Sequence, residues 1–262
     1  EDGIRDVERS RGLGDVYKRQ QVYKATWKDV HAARVLVCDP VELEEVGFDL
    51  DCVFECPVGA VDKFKPDSSV SEDKRVVHDQ REFNESCPKE THPPAVQPYH
   101  RQVARQILWW TQRYPGIPIY IAKRDVNGAF RLLWLAPQDT ELFTTTLPWR
   151  PDEMEAEAKE EGPVPQVLRK AASYVNMLVI YLVLSFGWSG SPGEWTPWAV
   201  AIIQYFQSFR PRRPERDGPE RFGAWALVDD GVMVEPCLGH RPWLAGNLHE
   251  AGARRMLGPD AV

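Results

Sequence analysis

The segment that most constrains the fold is residues 224–236, AWALVDDGVMVEP, in which two β-rich runs flank the pair Asp230-Gly231. An aspartate–glycine pair between such runs is among the strongest short signals for a β-hairpin. We therefore expect two antiparallel strands here, with the carboxylates of Asp229 and Asp230 at the hairpin tip.

A helix is predicted before this hairpin. Ser191-Pro192-Gly193-Glu194 offers a serine N-cap, a proline at the first helical position and a glutamate three residues after the cap. Apolar residues then recur at helical spacing, which predicts a buried stripe. Its members are Trp195, Trp198, Ala199, Ile202, Ile203, Phe206 and Phe209.

The other periodic segments predict a mixed fold. Residues 99–113 carry apolar side chains at helical spacing, and residues 117–125 alternate as a strand does. Strands are also predicted around residues 141–147 and over the apolar run 177–186. This order is typical of an α+β domain with an antiparallel sheet and helices on one face.

The remaining segments have weaker patterns. Residues 21–60 read as short strands and turns around an acidic surface, and residues 148–165 as an acidic loop. Residues 1–20 have no periodicity, and their RGLGDVYKRQ portion resembles the read-through of a sequencing adapter. We expect a non-native or disordered leader there, with a flexible natural N-terminus as the alternative. The ending ARRMLGPDAV suggests a truncation.

Composition narrows the class of protein. The chain has 262 residues, 43% of them hydrophobic and 27% charged, which is typical of one large or two small globular domains. No window has the roughly 18 apolar residues of a membrane span, so no membrane partner is expected. Five cysteines argue against a disulfide scaffold and favour a reducing, intracellular compartment.

The net charge of −7 speaks against a nucleic-acid partner at first sight. However, residues 39–56 hold seven acids and no Lys or Arg, and residues 152–161 hold six acids and one lysine. Because these two patches account for more than the whole net charge, a basic cleft elsewhere remains compatible with the sequence.

Three aspartates could form a metal site. Asp125 ends a predicted strand, and sheet pairing could bring it beside Asp229 and Asp230. Such carboxylates would hold two divalent cations about 3.5–4 Å apart, and Mg²⁺ prefers hard oxygen ligands. The alternatives are a solvated hairpin turn for the aspartate pair and a capping role for Asp125.

Four segments in one order carry a family resemblance. KRDVNGAFRLLWL (123–135), LSFGWSGSP (184–192) and ALVDDGVMVE (226–235) resemble the three palm motifs of reverse transcriptases, and RVVHDQREFN (75–84) resembles the fingers motif before them. The Phe-Gly-x₃-Ser-Pro form of the second motif resembles LTR-type and tyrosine-recombinase retrotransposons more than group II introns.

The resemblance implies a fold and its division. It implies the fingers and palm of a right-hand polymerase, the palm being a split βαβ, ferredoxin-like antiparallel sheet with helices on one face. The fingers-like region would be residues 21–116 and the palm residues 117–250. Residues 251–262 would begin the region after the palm, so the thumb and any RNase H, integrase or recombinase domain of the polyprotein would be missing.

The implied activity is that of an RNA-directed DNA polymerase, a nucleotidyltransferase. Its partners would be an RNA or DNA template with a primer, and a dNTP whose α-phosphate the primer 3′-OH attacks. Two Mg²⁺ (or Mn²⁺) ions would be held by the catalytic aspartates, Asp125, Asp229 and Asp230.

The resemblance also implies nucleotide-binding residues. Val126 would offer its carbonyl to a metal, and Phe130 would be the steric gate against a ribose 2′-OH, with a core aromatic as the alternative. Arg75, with Lys63 or Lys65, would grip the triphosphate, although an exposed lysine is usually only solvated. The floor beneath the nucleotide would be Phe186, Gly187, Ser191 and Pro192.

Three further groups have a functional and a structural interpretation. The arginines could contact a nucleic-acid backbone or line a solvated loop; they are Arg210, Arg212, Arg213 and Arg216. A zinc site is conceivable but matches no common pattern; it would use Cys52, Cys56, Cys87 and His92. Four tryptophans could stack bases or fill the core; they are Trp109, Trp110, Trp195 and Trp198.

Two rival functions remain. Leu227 stands where the third motif usually has an aromatic residue, which favours an inactive, truncated retroelement fragment that at most binds nucleic acid. A two-metal nuclease would account for the carboxylates, but it would leave the fingers motif and Phe130 unexplained.

Overall fold

A computed structural model describes residues 16–65, 67–148 and 176–262. The helices are α1 (Val16–His31), α2 (Pro40–Glu45), α3 (Arg81–Ser86), α4 (His100–Arg113), α5 (Ser191–Gln207), α6 (Pro214–Asp217) and α7 (Arg241–Leu257). The strands are β1 (Val35–Cys38), β2 (Val58–Phe64), β3 (Val70–His78), β4 (Ile119–Asp125), β5 (Thr144–Pro148), β6 (Asn176–Tyr181), β7 (Ala224–Leu227) and β8 (Asp230–Pro236). The acidic loop expected at 148–165 lies, after Pro148, outside the described residues, as does most of the expected leader.

The chain divides into two compact units. The first unit is Glu1–Cys87 with Leu133–Ser189, and the second is Pro88–Leu132 with Gly190–Val262. Each pairing between two of the described strands is antiparallel. The expected α+β class is therefore met at the coarse level, as helices with small antiparallel sheets.

The first unit contains a three-stranded sheet and a two-stranded one. The order of the larger sheet is β1-β6-β5, and β2 pairs with β3. The predicted buried strand is confirmed over its first part: β6 is buried from Met177 onwards but ends at Tyr181 rather than at residue 186.

Helix α1 corrects the prediction for the start of the chain. Strands and turns were expected after residue 20 and no structure before it, but α1 runs from Val16 to His31. Val22 and its neighbour Tyr23 are at most 1% exposed, and so is Trp27, which lies one helical turn beyond Tyr23. Burial of this apolar face explains the helix.

The second unit is built on the sheet β4-β8-β7. Strand β8 is antiparallel to both neighbours, so β4 and β7 run parallel with β8 between them. Side chains from α5, β8 and α7 form one core cluster, in which Phe206, Met233 and Ala245 are nearly inaccessible. This cluster covers one face of the sheet.

Helix α4 and helix α5 confirm two predicted helices, with local corrections. Helix α5 begins at Ser191 itself and its N-cap is Gly190, so the predicted serine cap is wrong by one residue. The apolar stripe is buried except at Trp198 and Phe209. In α4, Trp110 is fully buried whereas Trp109 is 44% exposed, so only one of that pair belongs to the core.

The hairpin forms as predicted, but its turn lies two residues before the Asp230-Gly231 pair that predicted it. Leu227 pairs with Asp230, which leaves Val228 and Asp229 as the two-residue loop. Val228 has φ +54°, a left-handed conformation that is strained for a β-branched residue. None of the described helices has both the length and the hydropathy that crossing a bilayer requires.

Candidate metal centre

Three aspartates lie together at one end of the β4-β8-β7 sheet. Asp125, the last residue of β4, is the direct cross-strand partner of Asp230, the first residue of β8. Asp229 is the adjacent loop residue, and one carboxylate oxygen from each of the three lies within 4.8 Å of the other two. The strand end and the hairpin tip are thus side by side, as the sequence predicted.

The backbone fixes this arrangement. The amide of Val126 donates a hydrogen bond to the carbonyl of Asp229 at 3.2 Å, so the chain leaving β4 is joined to the hairpin loop. Directly opposed residues of an antiparallel pair have Cβ atoms roughly 4.5–5.5 Å apart. Strand register alone therefore brings Asp125 and Asp230 within reach of a shared cation.

The electrostatics of the cluster favour a bound cation. Burial raises the pKa of Asp125 above its ordinary value, and the neighbouring charges of Asp229 and Asp230 raise it further. Lys123 places its Nζ 2.6 Å from Oδ2 of Asp230. One ammonium group facing three carboxylates leaves a net negative site.

Sequence reasoning missed Lys123, although a signal was present. Lys123 lies two residues before Asp125 on the same strand, so both side chains point to the same face of the sheet. The salt bridge runs diagonally across the strand pair from Lys123 to Asp230.

Sequence reasoning also missed His249, which supports the site from the opposite face. A Cβ atom added to Gly231 would overlap the imidazole of His249, so the ring lies directly on the backbone next to Asp230. His249 is 2% exposed, and its Nδ1 has no hydrogen-bond partner among the described residues. Burial, with a smaller effect from Arg124, lowers its pKa to about 4, so the ring is neutral at pH 7.

Helix α5 is tied to the hairpin loop. Trp195 Nε1 donates a 2.7 Å hydrogen bond to the carbonyl of Val228. The Trp195 ring also meets the ring of Phe130 edge-on, with centroids 6.4 Å apart. Phe130 is only 6% exposed, which fits the core alternative, and its role as a steric gate stays a prediction.

The predicted nucleotide-binding residues divide between the two units. The basic residues lie on exposed positions of the β2–β3 hairpin in the first unit; they are Lys63, Lys65 and Arg75. Phe186, 46% exposed, and Gly187 also belong to the first unit. Buried Val126, buried Ser191 and half-buried Pro192 belong to the second unit with the aspartates.

Two of the motif segments contact each other within the first unit. The side chain of Asn84 donates to the Gly187 carbonyl at 2.9 Å and accepts from the Ser189 amide at 2.8 Å. Gln80 Nε2 donates to Ser185 Oγ at 2.7 Å, and both side chains are buried. Residues 75–84 therefore hold the backbone of the Phe186-Gly187 turn.

The zinc interpretation finds no support in the described part of the chain. Within those residues, only the aspartate cluster brings three or more metal-ligating side chains together. The ring of His92 instead contacts the carboxylate of Glu194 at 3.2 Å. None of the five cysteines, all of which lie within the described residues, forms a disulfide.

The donor set of the aspartate cluster matches a hard divalent cation. Three carboxylates supply oxygen ligands of the kind that Mg²⁺ and Mn²⁺ take. A scan against protein-family models and a search of the curated proteins both find no match to this chain. The geometry of the carboxylates is therefore the principal evidence on function.

Proposed function

We propose that the chain is the fingers and palm of a retroelement reverse transcriptase, an RNA-directed DNA polymerase. The observation that carries this proposal is the convergence of Asp125, Asp229 and Asp230 at one end of a sheet. The strand order supports it, because β4 and β7 are parallel, α5 lies between them in the chain and β8 lies between them in the sheet. This is the order of a split βαβ unit, which the resemblance implies for a palm.

The contacts between the motif segments also support the proposal. Asn84 of the fingers-like segment is hydrogen-bonded to the backbone at Gly187 and Ser189 of the second palm-like segment. Segments far apart in a chain that resemble successive motifs of one family are expected to meet in one structure. A two-metal nuclease gives no reason for this contact.

The aspartates would hold the metal ions, two Mg²⁺ or Mn²⁺. When bound, such ions supply charge stabilisation to the attacking and leaving oxygens of an in-line phosphoryl displacement. The chain's own part is to fix three carboxylates by strand register and to limit their repulsion through Lys123. In the proposed reaction the primer 3′-oxygen bonds to the α-phosphorus of a dNTP, and pyrophosphate leaves.

The basic residues of the first unit would bind the triphosphate. Lys63, Lys65 and Arg75 are exposed, and Arg75 lies opposite Val61 across the β2–β3 pair. Charge-assisted hydrogen bonds from such side chains to phosphate oxygens are stronger than neutral ones. Their contribution would be to position the dNTP, and positioning provides a large part of catalysis in phosphoryl transfer.

One observation favours a non-catalytic alternative. Leu227, at the end of β7, is 42% exposed where the related motif has an aromatic residue. A palm that contacts template and primer weakly would keep the fold and bind nucleic acid without extending a primer. A non-catalytic palm would have the same metal site as the enzyme but would not add nucleotides to a primer.

Titration of Mn²⁺ into the chain, with and without a dNTP, tests the metal site. We expect binding in the wild-type chain and its loss in Asp229→Asn and in Asp230→Asn, because each removes a charged ligand of the cluster. Asp139→Asn is the matched control, since Asp139 is exposed and belongs to the other unit. Unchanged Mn²⁺ binding in Asp230→Asn would refute the metal site.

Primer extension on an RNA template separates the enzyme from the alternative. In a protein to which a polymerase thumb domain has been restored, we expect incorporation with the wild-type aspartates and none in Asp229→Asn or Asp230→Asn. Metal-dependent dNTP binding without any incorporation would instead favour the non-catalytic palm.

A further inference from the structure

A cavity of about 470 Å³ lies in the second unit, beyond the end of α5 and beside α7. Its rim carries Arg210, Arg212 and Arg213, and its wall includes Phe222, Leu244 and Leu248. We call it the arginine pocket. None of the three aspartates lines it, so it is distinct from the metal centre.

The rim has uncompensated positive charge. Arg210, Arg212 and Arg213 are exposed and make no ion pair within the described residues. The adjacent Arg216 differs, because its guanidinium is held by both carboxylate oxygens of the buried Asp217 at 2.7 Å. Three guanidinium groups thus remain available to an anionic ligand.

The wall of the arginine pocket is apolar and firmly supported. Phe222 is 3% exposed and packs on Phe206, with ring centroids 5.6 Å apart. Leu244 and Leu248 are partly buried side chains of α7 that pack against the same core cluster. Asn247, on the exposed side of α7, adds an amide with both donor and acceptor atoms.

This combination selects a class of ligand. Sites for single-stranded nucleic acid combine a positive groove for the backbone with aromatic or apolar surface for the bases. Guanidinium forks match phosphate geometry, and the volume lies in the range of small-ligand pockets, roughly 300–1,000 Å³. The amide of Asn247 could form hydrogen bonds with the edge of a base. The acyl chain of a lipid has no polar atom that could bind this amide.

We propose that the arginine pocket captures one unstacked nucleotide of a single-stranded nucleic acid. The base enters the apolar cavity, and the phosphates on either side contact Arg210, Arg212 and Arg213. The inference rests on the proposed function in taking nucleic acid as the ligand, but it does not require the aspartates. The arginine pocket would therefore bind the nucleic-acid strand at a place separate from the metal centre.

Binding of a fluorescent single-stranded oligonucleotide in EDTA tests the charged rim, with anisotropy measured over a range of salt concentrations. Each phosphate contact contributes about 0.7 to the slope of log K against log salt for single strands. The variant Arg210→Gln/Arg212→Gln/Arg213→Gln should therefore lower the slope by about 2. The charge-matched control is Arg101→Gln/Arg105→Gln/Arg255→Gln, at exposed positions away from the pocket. An equal loss in both variants would overturn the site.

Filling the cavity tests capture of the base. Ala251 is exposed on α7 and lines the pocket, so Ala251→Phe fills it and keeps every charge. We expect about a tenfold or larger loss of affinity for the ordinary strand, on the scale of one stacked base. An abasic strand should bind both proteins alike. Equal binding of ordinary and abasic strands by the wild-type chain would overturn the proposal.

Two further measurements separate this proposal from its rivals. Asp230→Asn should keep full strand affinity in EDTA, so strand binding and Mn²⁺ binding can fail independently. Absence of strand binding by the wild-type chain, with Mn²⁺ binding intact, refutes the pocket. Absence of Mn²⁺ binding by the wild-type chain, with strand binding intact, refutes the metal centre. Binding to phosphatidylglycerol vesicles through the same three arginines, without strand binding, would also overturn the proposal in favour of a lipid ligand.

Discussion

At the scale of single residues, Gly231 connects the carboxylate cluster on one face of the sheet with helix α7 on the other face. On one face its neighbour Asp230 joins the carboxylate cluster, and on the other the ring of His249 lies on its backbone. No side chain larger than hydrogen fits there unless β8 or α7 moves. The position of the Asp230 carboxylate and the packing of α7 are therefore linked through the backbone of Gly231.

Gly231→Ala should lower stability and metal affinity together. Overpacking of this kind typically costs about 1–3 kcal/mol, and the displacement of β8 moves Asp230 away from Asp125. Urea unfolding and Mn²⁺ titration measure the two effects.

The variant Gly231→Ala/His249→Ala provides the control for that prediction. Removing the ring leaves room for the new methyl group, so the double variant should be more stable than the sum of the single changes implies. Strict additivity would show that His249 is not what Gly231 accommodates.

The sequence predicts the aspartates and not their surroundings. A strand end and an aspartate–glycine pair are local signals, and antiparallel pairing is enough to bring Asp125 and Asp230 together. The contact of His249 with Gly231 depends on how α7 lies across β8. A tertiary packing of this kind leaves no local signal in either segment.

At the scale of elements, the first turn of α5 is packed closely against a neighbouring segment. Gly193 has no room for a side chain, because a Cβ atom there would overlap the backbone carbonyl oxygen of Pro93. Glu194, in the same turn, contacts the ring of His92. The segment before α4 is thus packed against the start of α5.

Gly193→Ala should destabilise the protein by about 1–3 kcal/mol, because a backbone oxygen cannot rotate away as a side chain can. Thermal and urea unfolding measure the change. Gly59→Ala is the control, since nothing lies within 4 Å of the added Cβ and its φ is ordinary; it should be neutral or slightly stabilising. Equal stability of the two variants would contradict the close packing.

The elements differ in how far the sequence predicts them. Helix α4, helix α5 and β4 have clear periodicity and form where expected. Helix α1 was missed because its first residues resembled a non-native leader, and its low amphipathicity gave little contrary signal. The hairpin turn was expected two residues too late, at Asp230-Gly231, because the strained Val228 occupies a position where glycine or asparagine is the usual choice.

At the scale of the whole molecule, each compact unit carries a histidine that is neutral in the folded state. Burial lowers the pKa of His78 and of His249 to about 4, well below the ordinary value of 6.5. Below pH 6.5 these two histidines therefore bind protons in the unfolded chain but stay unprotonated in the folded chain until the pH approaches 4. Glu235 acts in the opposite sense, because burial raises its pKa to about 7.

His249→Gln isolates one of these contributions. For a histidine with a lowered pKa, the free energy of unfolding falls as the pH drops from 6.5 toward 4. The variant should show a smaller fall over that interval, by about 1–3 kcal/mol. Urea unfolding at pH 6.5, 5.5 and 4.5 measures it, with Glu235 and His78 unchanged in both proteins. Parallel pH profiles would contradict the lowered pKa.

The hydrogen bond from Trp195 to the Val228 carbonyl has a mechanical consequence. It couples the position of the 17-residue helix α5 to that of the loop that carries Asp229. A tilt of α5 would displace the carboxylates. A partner bound to the exposed side of α5 would therefore change the affinity of the proposed metal site for a cation. Because such coupling is reciprocal, a cation on the aspartates would change the affinity of α5 for that partner by the same factor.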